Sequence, residues 1–245
     1  MKHYGLIGYP LSSSFSKRFF TEKFEKENID AHYDIYPLEN IEGIKDLIKN
    51  AGLCGLNVTV PYKERVIKYL DELDGVACET GAVNTIKFLQ KNNSTLLKGY
   101  NTDVIGFENT LKNLLQPYHK KALILGTGGS SKAVAYTFRK MGIEFRFVSR
   151  NASNHNLSYE NLDENTMNEH LCIVNTTPLG MYPVDAFPPI PYEYIGKKHL
   201  LYDLIYNPEK TIFLRKGETQ GASIKNGMDM LIGQALAAWE IWNKK

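Results

Sequence analysis

The residues able to do chemistry fall into two groups. The first is Gly126-Thr127-Gly128-Gly129-Ser130, between the apolar run 122–125 and a stretch that sets Ala133, Val134, Phe138 and Met141 at helical spacing. Glycines in such a turn let the backbone approach a pyrophosphate, and the helix that follows offers N–H donors and a partial positive charge. A further β-rich run at 145–148 completes strand, glycine turn, helix and strand within about thirty residues, the pattern of a dinucleotide-binding βαβ unit. Ser131 stands where that pattern usually has a third glycine or alanine, and serine is small enough for close helix packing. At the end of the second strand comes Ser149-Arg150-Asn151, with no carboxylate between Glu144 and Glu160. An acidic residue there suits the ribose hydroxyl of NAD, whereas an arginine suits the extra phosphate of NADP. NADP is the expected cofactor.

The second group lies upstream. In Leu56-Asn57-Val58-Thr59-Val60-Pro61-Tyr62-Lys63 the apolar residues alternate with Asn57 and Thr59, so the two polar side chains share one strand face. Pro61 ends that strand and suits the first turn of a helix, setting Lys63 near a strand end, where α/β sheets bind ligands. By itself Lys63 reads as a solvated charge. Asn84, within a strand over 81–87, needs a hydrogen-bond partner if buried. The serines at 12, 13, 14 and 16 precede a helix carrying Phe19, Phe20 and Phe24; they read as a loop with an N-cap, or as a seat for a small carboxylate. Asp103 begins a helix with Val104, Phe107, Leu111, Leu114 and Leu115 inward, and reads equally as its N-cap or as a catalytic carboxylate. Gln234 lies at the edge of an apolar stripe of Met228, Leu231, Ile232, Ala235, Trp239 and Trp242 in a helix over 226–242.

Other elements must position these groups. The pattern predicts strands at 4–8, 31–38, 95–97, 171–174 and 199–204, and helices at 41–50, 71–78 and 209–216. Asn92-Asn93 reads as a hairpin turn, and Pro183, Pro188, Pro189 and Pro191 mark an irregular loop. Polar residues 175–177 follow the strand at 171–174, where a cofactor would sit. The domain boundary falls near 100–118.

At 245 residues the chain suits one large domain or two modest ones. A net charge of +2 gives no nucleic-acid footprint. Three cysteines without metal or redox spacing fit a reduced cytoplasmic protein, and six scattered histidines predict no metal site. No apolar run approaches membrane-spanning length and no signal-peptide core begins the chain.

Taken together, SSSFS, NVTVPYK, GAVNT, NTD, GTGGSS, NTTPLGM, DLIYNP and NGMDMLIGQA, in that order over essentially the whole chain, resemble the shikimate dehydrogenase family. The resemblance implies NADPH-dependent reduction of 3-dehydroshikimate to shikimate, a step toward chorismate and the aromatic amino acids. It implies an α/β fold: a substrate domain of residues 1–103 and 225–245, a Rossmann-like NADP-binding domain of 104–224, and a C-terminal helix returning to the first domain. Lys63 and Asp103 would be the catalytic pair. Ser14 and Ser16 would bind the substrate carboxylate, and Thr59, Asn84, Asp103, Tyr206 and Gln234 the ring hydroxyls. Gly126, Gly128, Gly129 and Ser130 would cradle the pyrophosphate, with Arg150 on the 2′-phosphate and Thr176, Leu204 and Gly227 flanking the nicotinamide. The resemblance implies a small-molecule substrate, no nucleic-acid or membrane partner, and a monomer or homodimer.

Two stretches depart from the family pattern. Its first loop usually reads His-Ser-x-Ser-Pro, where this chain has Ser13-Ser14-Phe15-Ser16-Lys17. Its NADP stretch usually reads Asn-Arg-Thr with a second basic residue, where this chain has Ser149-Arg150-Asn151 and Asn154. One cation instead of two implies weaker NADP preference and some use of NAD. Three rivals follow: a quinate/shikimate dehydrogenase of relaxed specificity, another two-domain NADP enzyme such as a methylene-tetrahydrofolate dehydrogenase, and a non-catalytic NADP-binding regulator. Intact Lys63 and Asp103 argue against the last.

Overall fold

The computed structural model describes the chain except residues 12–13, 92–93, 153–155, 183–185 and 245. The expected turn at Asn92-Asn93, and Ser13, Asn154 and Pro183, lie outside the described residues. The chain divides into two compact units, one of Met1–Thr102 with Ala235–Lys245, the other of Asp103–Gln234. Among the described residues, no helix is long and apolar enough to cross a membrane.

The first unit runs β1 (Lys2–Gly8), α1 (Phe15–Lys26), β2 (Ala31–Pro37), α2 (Ile44–Asn50), β3 (Leu53–Val58), β4 (Glu72–Leu73), α3 (Gly75–Thr80), β5 (Thr85–Lys91) and β6 (Ser94–Tyr100). Its sheet has the order β2-β1-β3-β5-β6-β4. β1 pairs in parallel with β2 and β3, while β5 is antiparallel to both β3 and β6. One face packs Leu56, Val58, Val66 and Ile86 against Ile44; the other packs Tyr4 and Tyr33 against Phe20, Phe24 and Trp242. Gly55 makes the second face possible, because a Cβ there would run into the Trp242 indole, which donates to Ile86 O at 3.0 Å.

The second unit runs α4 (Asp103–Leu111), β7 (Lys121–Leu125), α5 (Gly129–Lys140), β8 (Glu144–Ser149), β9 (Asn156–Ser158), α6 (Glu164–Glu169), β10 (Cys172–Asn175), β11 (Leu200–Asp203), α7 (Ile212–Thr219) and β12 (Ser223–Lys225); α8 (Met228–Asn243) continues into the first unit. All its strands are parallel, in the order β12-β11-β10-β7-β8-β9. The first three strands step one way from β7 and the next three step the other way from β10. That is the dinucleotide-fold order, with its switch point between β7 and β10. Continuous apolar strands with both faces covered explain the fully buried Leu123, Ile124, Ile173 and Val174.

Several boundaries differ from the sequence reading. The alternation after Leu56 stops at Val58; Thr59 is half-buried and Val60 is 66% exposed, because the chain turns there. Pro61 lies in that turn, not in a helix, and the next element is a short 3-10 helix at Arg65–Tyr69. The predicted helix at 71–78 is instead strand β4 and then α3, capped by Asp74, whose side chain accepts from Ala77 N at 2.7 Å. Asn84 stands one residue before β5; its N–H donates to Tyr100 O and its carbonyl accepts from Val58 N, at the ends of β6 and β3, and its side-chain Oδ1 accepts the Thr102 N–H. Along α8 the buried positions are Met230, Gln234, Ala235, Ala237, Ala238 and Trp242, while Met228, Leu231 and Ile232 are half-buried. The strands β9 and β12 and the helix α6 carry too short a pattern to stand out in sequence.

Candidate functional site

In the first unit the polar residues are held by a buried network across the sheet. Ser16 lies on the buried face of α1 with Phe20 and Phe24. Tyr33 OH donates to Asn57 Oδ1 at 2.8 Å. Asn57 Nδ2 donates to Asn84 O and Thr85 Oγ1, both at 3.2 Å. Asn84 Nδ2 donates to Thr102 Oγ1 at 2.9 Å, and Asn84 Oδ1 accepts the Thr102 N–H at 2.7 Å. Every link is buried, so each polar atom needs its partner. Burial also pushes the Tyr33 phenol up, so it remains a neutral donor. Asn57, expected to point at a ligand beside Thr59, is therefore part of the frame.

Around this frame sit the proposed contacts. Ser14 caps α1, its Oγ accepting from Lys17 N at 3.4 Å, so the loop-cap reading is correct locally. Thr59 is held by its N–H on Ile7 O at 2.9 Å, where a Cβ on Gly8 would strike it. Lys63 is half-buried, and its carbonyl accepts from Val83 N at 2.7 Å, one residue before Asn84.

In the second unit Asp103 is buried at the first position of α4, adjoining Thr102 in the chain. Gln234 is buried, not at an edge, with Nε2 donating to Leu231 O at 3.0 Å. Tyr206 is half-buried.

The glycine turn behaves as its chemistry requires. Gly126 has φ +104, and a Cβ there would stand 2.8 Å from Thr176 Oγ1. Thr176 Oγ1 in turn donates to Leu125 O at 2.6 Å, across the switch point. Gly128 occupies the N-cap of α5 and brings no side chain to cap it, while Gly129 and Ser130 form its first turn. Ser131 fits the tight third position because its hydroxyl turns back to Gly128 O at 2.6 Å. A pocket of about 430 Å³ opens beside this turn, lined by Gly126, Thr127, Ser149, Arg150, Tyr159 and Thr177 among others. Its size suits part of a dinucleotide. Arg150 rims it, and Ser149 Oγ donates to Asn151 O at 2.7 Å, which shapes the loop behind it. Gly227 fits against the Leu204 backbone, where a Cβ would overlap the Leu204 carbonyl, and its N–H donates to Ile205 O at 3.0 Å.

Sequence reasoning missed Tyr33, Tyr159 and Asp203. Tyr33 and Asp203 end up buried and bonded, which no local pattern announces. Tyr159 follows the unpredicted β9. Thr177, within the polar run 175–177 expected beside a cofactor, does line the pocket.

Comparisons bear on both units. The family model described as the shikimate dehydrogenase substrate binding domain matches residues 6–86. The "Shikimate dehydrogenase (NADP(+))" of Caldanaerobacter subterraneus is 36% identical, the match covering 98% of this chain and 91% of that protein. The crystal structure of shikimate dehydrogenase from Aquifex aeolicus matches with a TM-score of 0.88 at 33% identity, over 100% of this chain and 93% of that one. The Thermus thermophilus shikimate 5-dehydrogenase, in complex with NADP(H) and shikimate, matches with a TM-score of 0.86 at 29% identity, over 100% and 94%.

Proposed function

The chain belongs to the shikimate dehydrogenase family, and from that premise we propose that it interconverts 3-dehydroshikimate and shikimate with NADP(H). The observation that carries the cofactor half is the Gly126 turn at the β7/β10 switch point, with Arg150 on the rim of its pocket. NADPH, when bound, supplies the hydride. The backbone at Gly126, Gly128, Gly129 and Ser130 receives the pyrophosphate, Arg150 the 2′-phosphate, and Thr176, Leu204 and Gly227 border the nicotinamide. Residues 104–224 form the cofactor part, and 1–103 with 225–245 the substrate part.

On the substrate, Ser14 and Ser16 receive the carboxylate, while Thr59, Asn84, Asp103, Tyr206 and Gln234 hold the ring hydroxyls. Reducing a ketone by hydride leaves an alkoxide that needs a proton from a positioned acid. Lys63 donates it as an ammonium, and in the oxidative direction its amine takes the proton back. Asp103 would be the second member of the catalytic pair. Both residues are tied to the Asn84–Thr102 frame: Lys63 by the hydrogen bond its carbonyl accepts from Val83 N, the residue before Asn84, and Asp103 by the peptide bond to Thr102. The three cysteines are free thiols, in keeping with a cytoplasmic enzyme, acting as a monomer or homodimer.

The test is nicotinamide absorbance with shikimate or quinate as substrate and NADP or NAD as oxidant. Shikimate with NADP should exceed the other three pairings. Comparable rates with quinate or NAD would replace this reading by relaxed specificity, and no turnover in any pairing would overturn it.

A further inference from the structure

Asp203 ends β11 fully buried, and everything that bonds it is a neutral donor. Its Oδ1 accepts from Asn175 Nδ2 and from Ile205 N, both at 3.0 Å, and its Oδ2 accepts from Thr211 Oγ1 at 2.6 Å. The three donors come from three segments: the end of β10, the turn after β11, and the N-cap of α7. Asn175 carries the tie onward. Its Oδ1 accepts from Thr177 N at 3.0 Å and Thr177 Oγ1 at 2.7 Å, its Nδ2 also reaches Leu179 O at 3.2 Å, and its carbonyl accepts from Leu204 N at 3.0 Å. One carboxylate thus anchors the loop bearing Thr176, Thr177 and Leu179, two of which line the cofactor pocket, and the turn bearing Leu204 and Tyr206.

We propose that Asp203 is a positioning residue for cofactor binding: as a carboxylate it locks the loops after β10 and β11 in the shape that receives NADP. This deepens the NADP reading above and rests on it. The donor count explains why the charge matters. Three donors converge on two oxygens, two of them on Oδ1: protonation removes the charge that strengthens all three bonds, and a proton on Oδ1 would displace one of its donors. Burial pushes the Asp203 carboxyl up to about 6, opposed by the hydrogen bonds from Thr211, Ile205 and Asn175, so the lock opens within reach of ordinary buffers. Among the described residues, the titratable side chain facing it is Tyr192, whose hydroxyl donates to Pro188 O at 2.9 Å and whose pKa is raised by burial and by the Asp203 charge; it stays a neutral phenol across this range.

The experiment is calorimetric titration of NADP into the full-length wild type, Asp203→Asn and Thr211→Val from about pH 5 to about pH 8, with melting temperatures alongside. NAD, which lacks the titrating 2′-phosphate, serves as the control ligand. Wild-type affinity should fall roughly tenfold as pH drops through the Asp203 transition, the scale of one lost charge-assisted hydrogen bond. Asp203→Asn should bind about tenfold more weakly at neutral pH and lose that share of the pH dependence with both ligands. In Thr211→Val the midpoint should move upward, since a donor to the ionised form is gone. An Asp203→Asn protein with wild-type NADP affinity and pH profile overturns the proposal, whatever its melting temperature. If that variant does not fold, an unmoved midpoint in Thr211→Val overturns it instead. A wild type that binds NADP but does not oxidise shikimate refutes the proposed function and leaves this inference standing; one that binds no NADP overturns both.

Discussion

The backbone N–H of Thr102 donates to Asn84 Oδ1 at 2.7 Å, fixing the residue before Asp103 to the loop that follows Lys63 and Val83. Because both partners are buried, Asn84→Ala leaves a buried N–H without an acceptor, costing about 1–3 kcal/mol. Urea unfolding should show that loss. If Asn84 also binds substrate, KM for shikimate should rise while KM for NADP holds.

Arg150 offers the one pocket-lining cation among the described residues. Removing a charge-assisted contact to the 2′-phosphate in Arg150→Ala should raise KM for NADP roughly ten- to a hundredfold. KM for NAD should stay within about twofold, since NAD has no phosphate there. Equal effects on both would move the phosphate contact elsewhere.

Gly126→Ala combines a positive φ with a Cβ placed 2.8 Å from Thr176 Oγ1. The strain should cost about 1–3 kcal/mol and shift the Thr176 hydroxyl from Leu125 O. Thermal melting gives the first effect, and NADP titration should show weakened binding.

Stability should also depend on pH through His119, His170 and His199, each held below the ordinary histidine range chiefly by burial. His119 Nδ1 accepts from Gln116 N at 2.9 Å and His199 Nδ1 from Gly196 N at 3.0 Å, so a second proton on either ring meets an N–H. With the folded pKa below the unfolded one, the unfolded chain binds protons first. Their contribution is therefore complete above the unfolded value of 6.5 and is lost as pH falls below it. Asp203 works the other way, since its raised pKa makes ionisation destabilising as pH climbs from 3.8 to about 6. Between neutral pH and about 6, above the Asp203 range, the urea midpoint should fall less for His199→Gln than for the wild type.

Legibility in the sequence followed locality. The βαβ unit was readable because strand, glycine turn and helix are consecutive, and each obeys its own period over enough residues. The same holds for Phe20 and Phe24 on α1, and for Trp242 on α8. Val60 misled because alternation continues in the letters after the strand has turned away. Gln234 looked marginal since α8 buries a stripe centred on Met230, Ala235 and Ala238, and small alanines weigh little in a hydrophobic pattern. Tyr33, Asn57 and Asp203 could not be found locally: their roles come from partners 24, 27 and 28 residues away.

The most direct test of the catalytic account compares kcat of the wild type and Lys63→Ala on shikimate with NADP. The account predicts a fall of about two to four powers of ten, the scale of a lost general acid–base, with KM for shikimate far less affected. A Lys63→Ala enzyme turning over near the wild-type rate would contradict it and assign the proton to another group.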